Sequence, residues 1–308
     1  MVEGSIEPGF PPYVIFKKSE GYFDPINTTS IDNIFTDVDT VKVWCYSESG
    51  EMDTVRYLQK ISITDTLPPI YTDVDYILSG AANNYGFSKE NKTYYLEVKW
   101  NNQTITAETT IPTATALDCL WVEKRETAEK DFKCDIRAIY SDPIDQQNNI
   151  LIKSKRLQHF TFTQNECEIK DKPDDILQLV DAGSDILING ESFETYFPRP
   201  KENGFPTAAY NSLHTKECDN DSTVVFPEDI VLIKFCQIDE PAMKFWRGLV
   251  RQGGTNANPF AEPINLVSNI NGGLGVWAGY SPTYYKVPII EDIVVKDQYD
   301  SLTILDIF

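Results

Sequence analysis

The side chains that most often carry catalysis are sparse in this chain. Only two histidines, His159 and His214, could act as general bases, and neither lies near a Gly-x-Ser-x-Gly elbow or a similar nucleophile motif. A catalytic triad needs a base beside its nucleophile, so the sequence predicts no catalytic residue and a protein that is not an enzyme. Because carboxylates are abundant, an acid pair that hydrolyses glycans or peptides stays open as the alternative.

Metal-ligand patterns are equally weak. Two TDVD strings place Asp37, Asp39, Asp73 and Asp75 where they could hold calcium if two loops met. No EF-hand spacing accompanies them, and solvated strand ends are the favoured interpretation. The sequence therefore predicts no metal and no cofactor.

The six cysteines are spread along the chain without a Cys-x-x-Cys pair, which disfavours a zinc ribbon. Cys167 and Cys218 lie in polar, loop-like segments where an exposed thiol is unusual. In an oxidising compartment they are the first disulfide candidate. Cys119 and Cys134, which could face each other across a hairpin, are the second.

The glycines of NINGGLGVWAGY superficially resemble a phosphate-binding loop, but a strand follows them where that loop needs a helix. Room for close backbone packing is the favoured interpretation. Large aromatic residues nearby could either line a binding surface or fill the core. Trp277, Tyr280 and Tyr284 are binding candidates in this region, and Phe245 and Trp246 of the preceding helix are two more.

Composition narrows the class of protein. The chain has 308 residues, 41% of them hydrophobic, and a formal net charge of -20. Such a charge disfavours nucleic acid and anionic lipid as partners, because both need Lys and Arg. No apolar run approaches the roughly 18 residues of a transmembrane helix. The chain begins almost inside a strand pattern, so we expect any export signal or lipid anchor to lie upstream of it.

The stretch from Phe226 to Tyr280 carries the clearest helix, predicted over about 239–252. Asp239 is a suitable N-cap, and Gly253 with Gly254 supplies a stop. Apolar residues recur at helical spacing along one face: Ala242, Phe245, Trp246, Leu249 and Val250. This pattern favours a helix that covers one side or end of a β-sheet. The alternative is a helix that docks a partner, with Phe245 and Trp246 as its anchors.

Most other segments read as short alternating strands separated by turns, which predicts an all-β fold. Residues 1–112 are predicted to form an immunoglobulin- or transthyretin-like β-sandwich, with a hairpin around Asn101–Asn102 and a strand at VDYILSG. Residues 113–308 are predicted to form a larger β-rich sandwich or barrel-like domain that carries the helix. The tail 291–308 could be an edge strand or disordered.

Several segments, in the same order, resemble the domain-of-unknown-function family 4249: VEGSIEPGFPPYVIFKKSEGYFDP, NKTYYLEVKWNNQTITAETTIP, LDCLW, and IDEPAMKFWRGLVRQGGTNANPFAEPINLVSNINGGLGVWAGY. The NPFAEP string and the GGLGVWAGY return are the most specific part. The resemblance implies a secreted lipoprotein of Gram-negative bacteria, often encoded beside TonB-dependent outer-membrane receptors. It brings no catalytic residues.

From this resemblance we expect a non-enzymatic lipoprotein anchored by lipid to the outer membrane, at the cell surface or on the periplasmic face. Its expected role is that of an accessory or ligand-capturing partner of a TonB-dependent transporter. The ligand could be a small molecule, a peptide or a glycan, and the only membrane contact would be the upstream anchor. A cell-surface adhesion or scaffold module is a further alternative.

Overall fold

The computed structural model describes residues 1–18, 34–64, 68–80, 84–124, 134–144, 146–162, 165–174, 176–184, 189–197, 212–218, 223–255 and 266–308. These residues form mostly β-strands with one long helix, which confirms the predicted all-β class. No helix within these ranges is long and apolar enough to cross a membrane. The NPFAEP string, residues 258–263, lies outside the described residues.

Nineteen strands are named here in chain order. They are β1 Val2–Ile6, β2 Tyr13–Phe16, β3 Thr40–Tyr46, β4 Met52–Ile61, β5 Ile70–Thr72, β6 Thr93–Trp100, β7 Gln103–Thr110, β8 Cys119–Lys124, β9 Cys134–Ser141, β10 Asn149–Phe162, β11 Asn165–Pro173, β12 Gln178–Ser184, β13 Ser192–Phe197, β14 His214–Glu217, β15 Thr223–Phe226, β16 Ile230–Ile238, β17 Ile270–Asn271, β18 Gly275–Pro288 and β19 Val294–Val295. Two α-helices, α1 Val74–Leu78 and α2 Glu240–Thr255, and a 3-10 helix, Ile304–Asp306, complete the described elements.

One large sheet runs through both halves of the chain, in the order β11-β10-β16-β18-β1-β2-β5-β4-β3-β6-β7-β17, with β12 also paired to β10. Its central junction is the parallel pairing of β1 with the start of β18. The strands on either side of residue 112 therefore share a sheet. The proposed division into two domains at that residue stays a prediction.

The N-terminal strands form for the local reason that the sequence indicates. Val41, Val43 and Cys45 alternate along β3 and are all buried, because successive side chains of a strand point to opposite faces. The β6–β7 hairpin turns at Asn101 and Asn102, both of which adopt the positive φ that two-residue hairpin turns require. The alternation of Val41, Val43 and Cys45 in the sequence predicts a strand, and both this strand and the predicted hairpin are confirmed.

Strand β16 is buried along nearly its whole length because both of its faces are covered. On one face Val231, Ile233 and Phe235 pack against a second, four-stranded sheet of order β13-β9-β8-β19. On the other face Cys236 and Ile238 pack with α2. A strand covered on both faces reads as a near-continuous apolar run, as VLIKFCQI does.

Helix α2 begins as predicted and ends later. The Asp239 carboxylate accepts a hydrogen bond from the Ala242 backbone N–H at 3.0 Å, which is the geometry of an N-cap. The predicted stop at Gly253 is wrong, because the helix continues to Thr255. Glycine lowers helix stability by about 1 kcal/mol relative to alanine without forbidding the conformation, so it can occupy a final turn.

The predicted strand at VDYILSG is also wrong, since Val74–Leu78 is α1. The Asp73 side chain accepts from the Tyr76 backbone N–H at 3.2 Å and caps this short helix. An aspartate N-cap competes with extended structure because it satisfies a backbone donor that a strand would pair elsewhere.

The tail 291–308 is ordered against the body. Val294–Val295 pairs with β8, and the side chains of Leu302, Ile307 and Phe308 are buried. The Leu177 backbone N–H donates to the backbone oxygen of Phe308 at 2.6 Å. The tail therefore forms one wall of the region beside β16 and β18.

Candidate functional site

The five aromatic binding candidates are all buried, with exposed fractions of 6% or less. Phe245, Trp246 and Tyr280 pack in the cluster between α2 and the sheet. Trp277 lies in the N-terminal core, and Tyr284 packs with the tail. These side chains therefore form core rather than an exposed aromatic surface, although Phe245 and Tyr284 each reach the wall of a cleft.

The glycine-rich return serves the seam between β1 and β18. A Cβ on Gly275, whose φ is +131°, would lie 1.7 Å from the backbone oxygen of Val2. A Cβ on Gly279 would lie 2.7 Å from the backbone oxygen of Thr110. Close backbone approach, the favoured interpretation of these glycines, accounts for both positions.

The disulfide candidates have different outcomes. Cys167 and Cys218 are bonded, with their Cα atoms 6.1 Å apart, which confirms the first pairing. The second pairing is wrong, because the β8–β9 register places Cys119 opposite Ile139 and Cys134 opposite Lys124, at opposite ends of the hairpin. Cα atoms more than about 7 Å apart cannot be bridged without backbone movement.

The histidines and the candidate calcium ligands engage other groups. His159 lies on β10, where its backbone N–H donates to Asp229 at 2.8 Å, while His214 stacks on Phe226. Asp37 pairs with Lys60, and Asp73 caps α1. Among the described residues, no group of three or more His, Cys, Asp or Glu side chains is placed to hold a metal ion.

Four lysines share one face of three neighbouring strands, and we call them the lysine face: Lys153, Lys155, Lys234 and Lys286. Along one row of the sheet Lys153 lies opposite Lys234, which lies opposite Tyr284. Along the next row Lys155 and Lys286 flank Leu232 from either side. In a chain with a net charge of -20, this is a local concentration of positive charge.

Lys234 is the buried member of the lysine face, and its charge is paired with a carboxylate that is itself hydrogen-bonded. Its ammonium, 1% exposed, forms an ion pair with Glu7, 2% exposed. The Tyr284 hydroxyl donates to the other oxygen of Glu7 at 2.8 Å. Burial raises the pKa of the Tyr284 hydroxyl well above its ordinary value, with the charge of Glu7 as a further cause. Buried charges are tolerated when they are paired and hydrogen-bonded in this way.

Lys153 is held by aromatic rings. Its Nζ lies 4.4 Å from the ring centroid of Trp246 and 5.5 Å from that of Tyr280, both within cation–π distance. Burial, together with the neighbouring Lys234, lowers the pKa of Lys153 to about 8. Lys153 therefore helps to fix helix α2 on the sheet.

Beside the lysine face lies a cleft of about 360 Å³, which we call the tail cleft because the C-terminal tail forms one of its walls. The tail supplies Tyr299, Leu305 and Asp306, and the sheet supplies the floor. The remaining lining residues are Thr64, Lys155, Arg156, Leu157, Pro173, Asp174, Ile230, Leu232 and Lys286.

The floor of the tail cleft is apolar because three of its residues fall in register. Leu157 lies directly opposite Ile230 in the pairing of β10 with β16, and Leu232 follows on the same face two residues later. These two strands are hydrogen-bonded neighbours within the large sheet. The floor therefore offers an ordered apolar surface that suits a small molecule with an apolar body.

Sequence reasoning missed the lysine face and the tail cleft. The available signal was the lysine within VLIKFCQI, since a charge in a strand buried on both faces needs a partner. That signal indicates that a partner exists without identifying Glu7, which is 227 residues away.

No protein-family model matches this chain, and no curated protein matches it.

Proposed function

We propose that this protein is a non-enzymatic ligand-capturing protein that works as an accessory of a TonB-dependent outer-membrane transporter. The observation that carries the ligand-binding part is the tail cleft, whose apolar floor is built on two paired strands of the large sheet. Its volume of about 360 Å³ falls at the small end of the range of ligand pockets, roughly 300–1,000 Å³.

The resemblance to family 4249 supports the cellular part of the proposal. It indicates a lipid anchor upstream of this chain and a position at the outer membrane, facing either the surface or the periplasm. The net charge of -20 agrees with a protein that stays off anionic headgroups except through such an anchor. A disulfide between Cys167 and Cys218 suits an oxidising compartment.

Co-purification tests the transporter part. The lipidated full-length protein, tagged at its C-terminus, is to be recovered from detergent-solubilised outer membranes of its source bacterium. We expect a large β-barrel receptor to elute with it in near-stoichiometric amount. An unrelated tagged outer-membrane lipoprotein serves as the control, and recovery without a receptor, or with the same proteins as the control, counts against the proposal.

A further inference from the structure

We infer that the tail cleft takes a small amphipathic anion: an organic carboxylate with an apolar body, whose charged end binds Lys286. This inference rests on the proposed function in one respect only, namely that the tail cleft is a ligand site. It goes further by assigning the chemical class of the ligand and the residue that recognises its charge.

Polar groups around the cleft already contact other groups of the protein. Lys155 donates to the Leu305 backbone oxygen at 2.7 Å and lies 3.4 Å from the Asp306 carboxylate. The Asp174 carboxylate accepts from the Arg156 backbone N–H at 2.9 Å. The two acids that line the cleft are therefore each engaged by a group of the protein.

Lys286 differs from these groups. Its side chain is exposed at the mouth of the cleft, with Nζ 5.3 Å from the ring centroid of Tyr299. Within the part of the chain that the structure describes, it has no ion pair or hydrogen bond through its ammonium. A ligand carboxylate can therefore pair with Lys286 without displacing an internal partner, and such charge-assisted hydrogen bonds are the strong ones.

The floor and the wall of the tail cleft determine that the uncharged part of the ligand is apolar. Leu157, Ile230 and Leu232 offer an apolar surface, and Leu305 faces it from the tail. Each methylene group that leaves water for such a surface adds favourable transfer free energy. A polyhydroxylated ligand would gain nothing from this floor and would lose its water, so an apolar chain or ring fits better than a glycan.

The experiment uses three probes that share one tail and differ in charge: decanoate, decanol and decyltrimethylammonium. Binding to the full chain is measured by isothermal titration calorimetry below the micelle-forming concentration of each probe. We expect saturable binding of decanoate, at least about tenfold weaker binding of decanol, and no binding of the cation. A tenfold change corresponds to about 1.4 kcal/mol.

Matched variants assign the charge to Lys286. Lys286→Gln is expected to weaken decanoate binding about tenfold and to leave decanol unchanged, whereas Lys286→Arg keeps the affinity. Lys99→Gln is the control, because Lys99 is likewise an exposed strand lysine and its loss changes the net charge equally. Equal effects of the two glutamine variants, or equal affinities for decanoate and decanol, overturn the inference.

A second variant locates the ligand independently of charge. Leu305 is 42% exposed on the tail and lines the cleft, so Leu305→Trp fills the cleft without disturbing the buried core. We expect this variant to lose both decanoate and decanol while its melting temperature stays unchanged. Unaltered binding by a folded Leu305→Trp variant places the ligand elsewhere and contradicts the inference.

The outcomes for the two proposals are separable. Recovery of a receptor without selective decanoate binding leaves the accessory role standing and refutes the ligand class. Selective decanoate binding that depends on Lys286, without recovery of a receptor, supports the ligand class and refutes the transporter partnership.

Discussion

The core beneath the β6–β7 hairpin and the lysine face lie on the same continuous sheet but are stabilised differently. Around Tyr94, Leu96 and Trp277 the inward side chains are almost entirely apolar and buried. On the lysine face, charged side chains lie on strands of similar burial, and Lys234 needs Glu7 to be tolerated there.

The difference shows that side chains are buried for different reasons in the two regions. In the apolar core they are stabilised by close packing, whereas on the lysine face Lys234 is stabilised by its ion pair with Glu7. An apolar core loses stability in proportion to the volume removed. Removing one partner of a buried ion pair lowers the stability of the fold. Replacing both partners by apolar side chains restores it. Four substitutions, from the largest expected effect to the smallest, test this distinction.

Glu7→Leu is expected to have the largest effect, lowering the free energy of unfolding by about 3–5 kcal/mol, because it leaves the Lys234 ammonium buried without a carboxylate. Replacing the whole cluster, as Glu7→Leu with Lys234→Met and Tyr284→Phe, is expected to restore most of that loss. Urea unfolding measures both. If the triple variant is no more stable than the single one, the ion pair does not account for the loss.

Leu96→Ala in the apolar core is expected to cost about 3 kcal/mol, since Leu96 is fully buried and the substitution leaves a cavity. Urea unfolding of this variant beside Glu7→Leu compares the two regions directly. If a nearby substitution that changes only charge restored the stability of Leu96→Ala, the two regions would not differ in how they are stabilised.

Asp239→Ala tests the junction between the two regions. Its carboxylate caps α2 and also accepts from the Thr109 hydroxyl at 2.6 Å, so the helix start is tied to β7. We expect a loss of about 1–2 kcal/mol in the free energy of unfolding. A helix with unchanged stability in this variant would show that neither contact contributes.

The same carboxylate gives a pH dependence. Burial raises the pKa of Asp239 above its ordinary value of 3.8. The folded state therefore holds this proton more tightly than the unfolded chain does, and the contribution of Asp239 to stability falls as pH rises through the folded-state pKa. The cost of Asp239→Ala, measured by urea unfolding from near that ordinary value up to neutral pH, is expected to shrink as pH rises.

Lys286→Gln is expected to change the free energy of unfolding by less than about 0.5 kcal/mol, because an exposed side chain without an ion pair contributes little to folding. Thermal unfolding beside Lys99→Gln provides the comparison. A loss approaching that of Glu7→Leu would show that Lys286 is a structural residue, and the contrast with the buried Lys234 would then disappear.

Prediction from sequence succeeded where the signal is local. The alternation of Val41, Val43 and Cys45 identified β3, and Asn101–Asn102 identified a hairpin, because side-chain period and turn conformation are set by neighbouring residues. Prediction fails where a local signal for one element competes with a signal for another. The segment VDYILSG is predicted as a strand, but the Asp73 cap begins a helix there.

The candidate site could not be predicted from the sequence because local signals do not reveal which distant strands pack together. Aromatic residues such as Trp277 and Tyr280 are common in binding surfaces. The sequence alone does not show that other parts of the fold bury them. The tail cleft combines β10, β16, β18 and the tail, and no local pattern encodes that combination.

The sequence by itself determined the all-β class, the start of helix α2, the Cys167–Cys218 candidate and the acidic composition of the chain. Only the tertiary structure decided that β1 pairs with β18, which brings Glu7 to Lys234 and Tyr284 across separations of 227 and 277 residues. Strand propensity is a property of a few adjacent residues, whereas the partner of a buried charge is selected by the global pairing of strands.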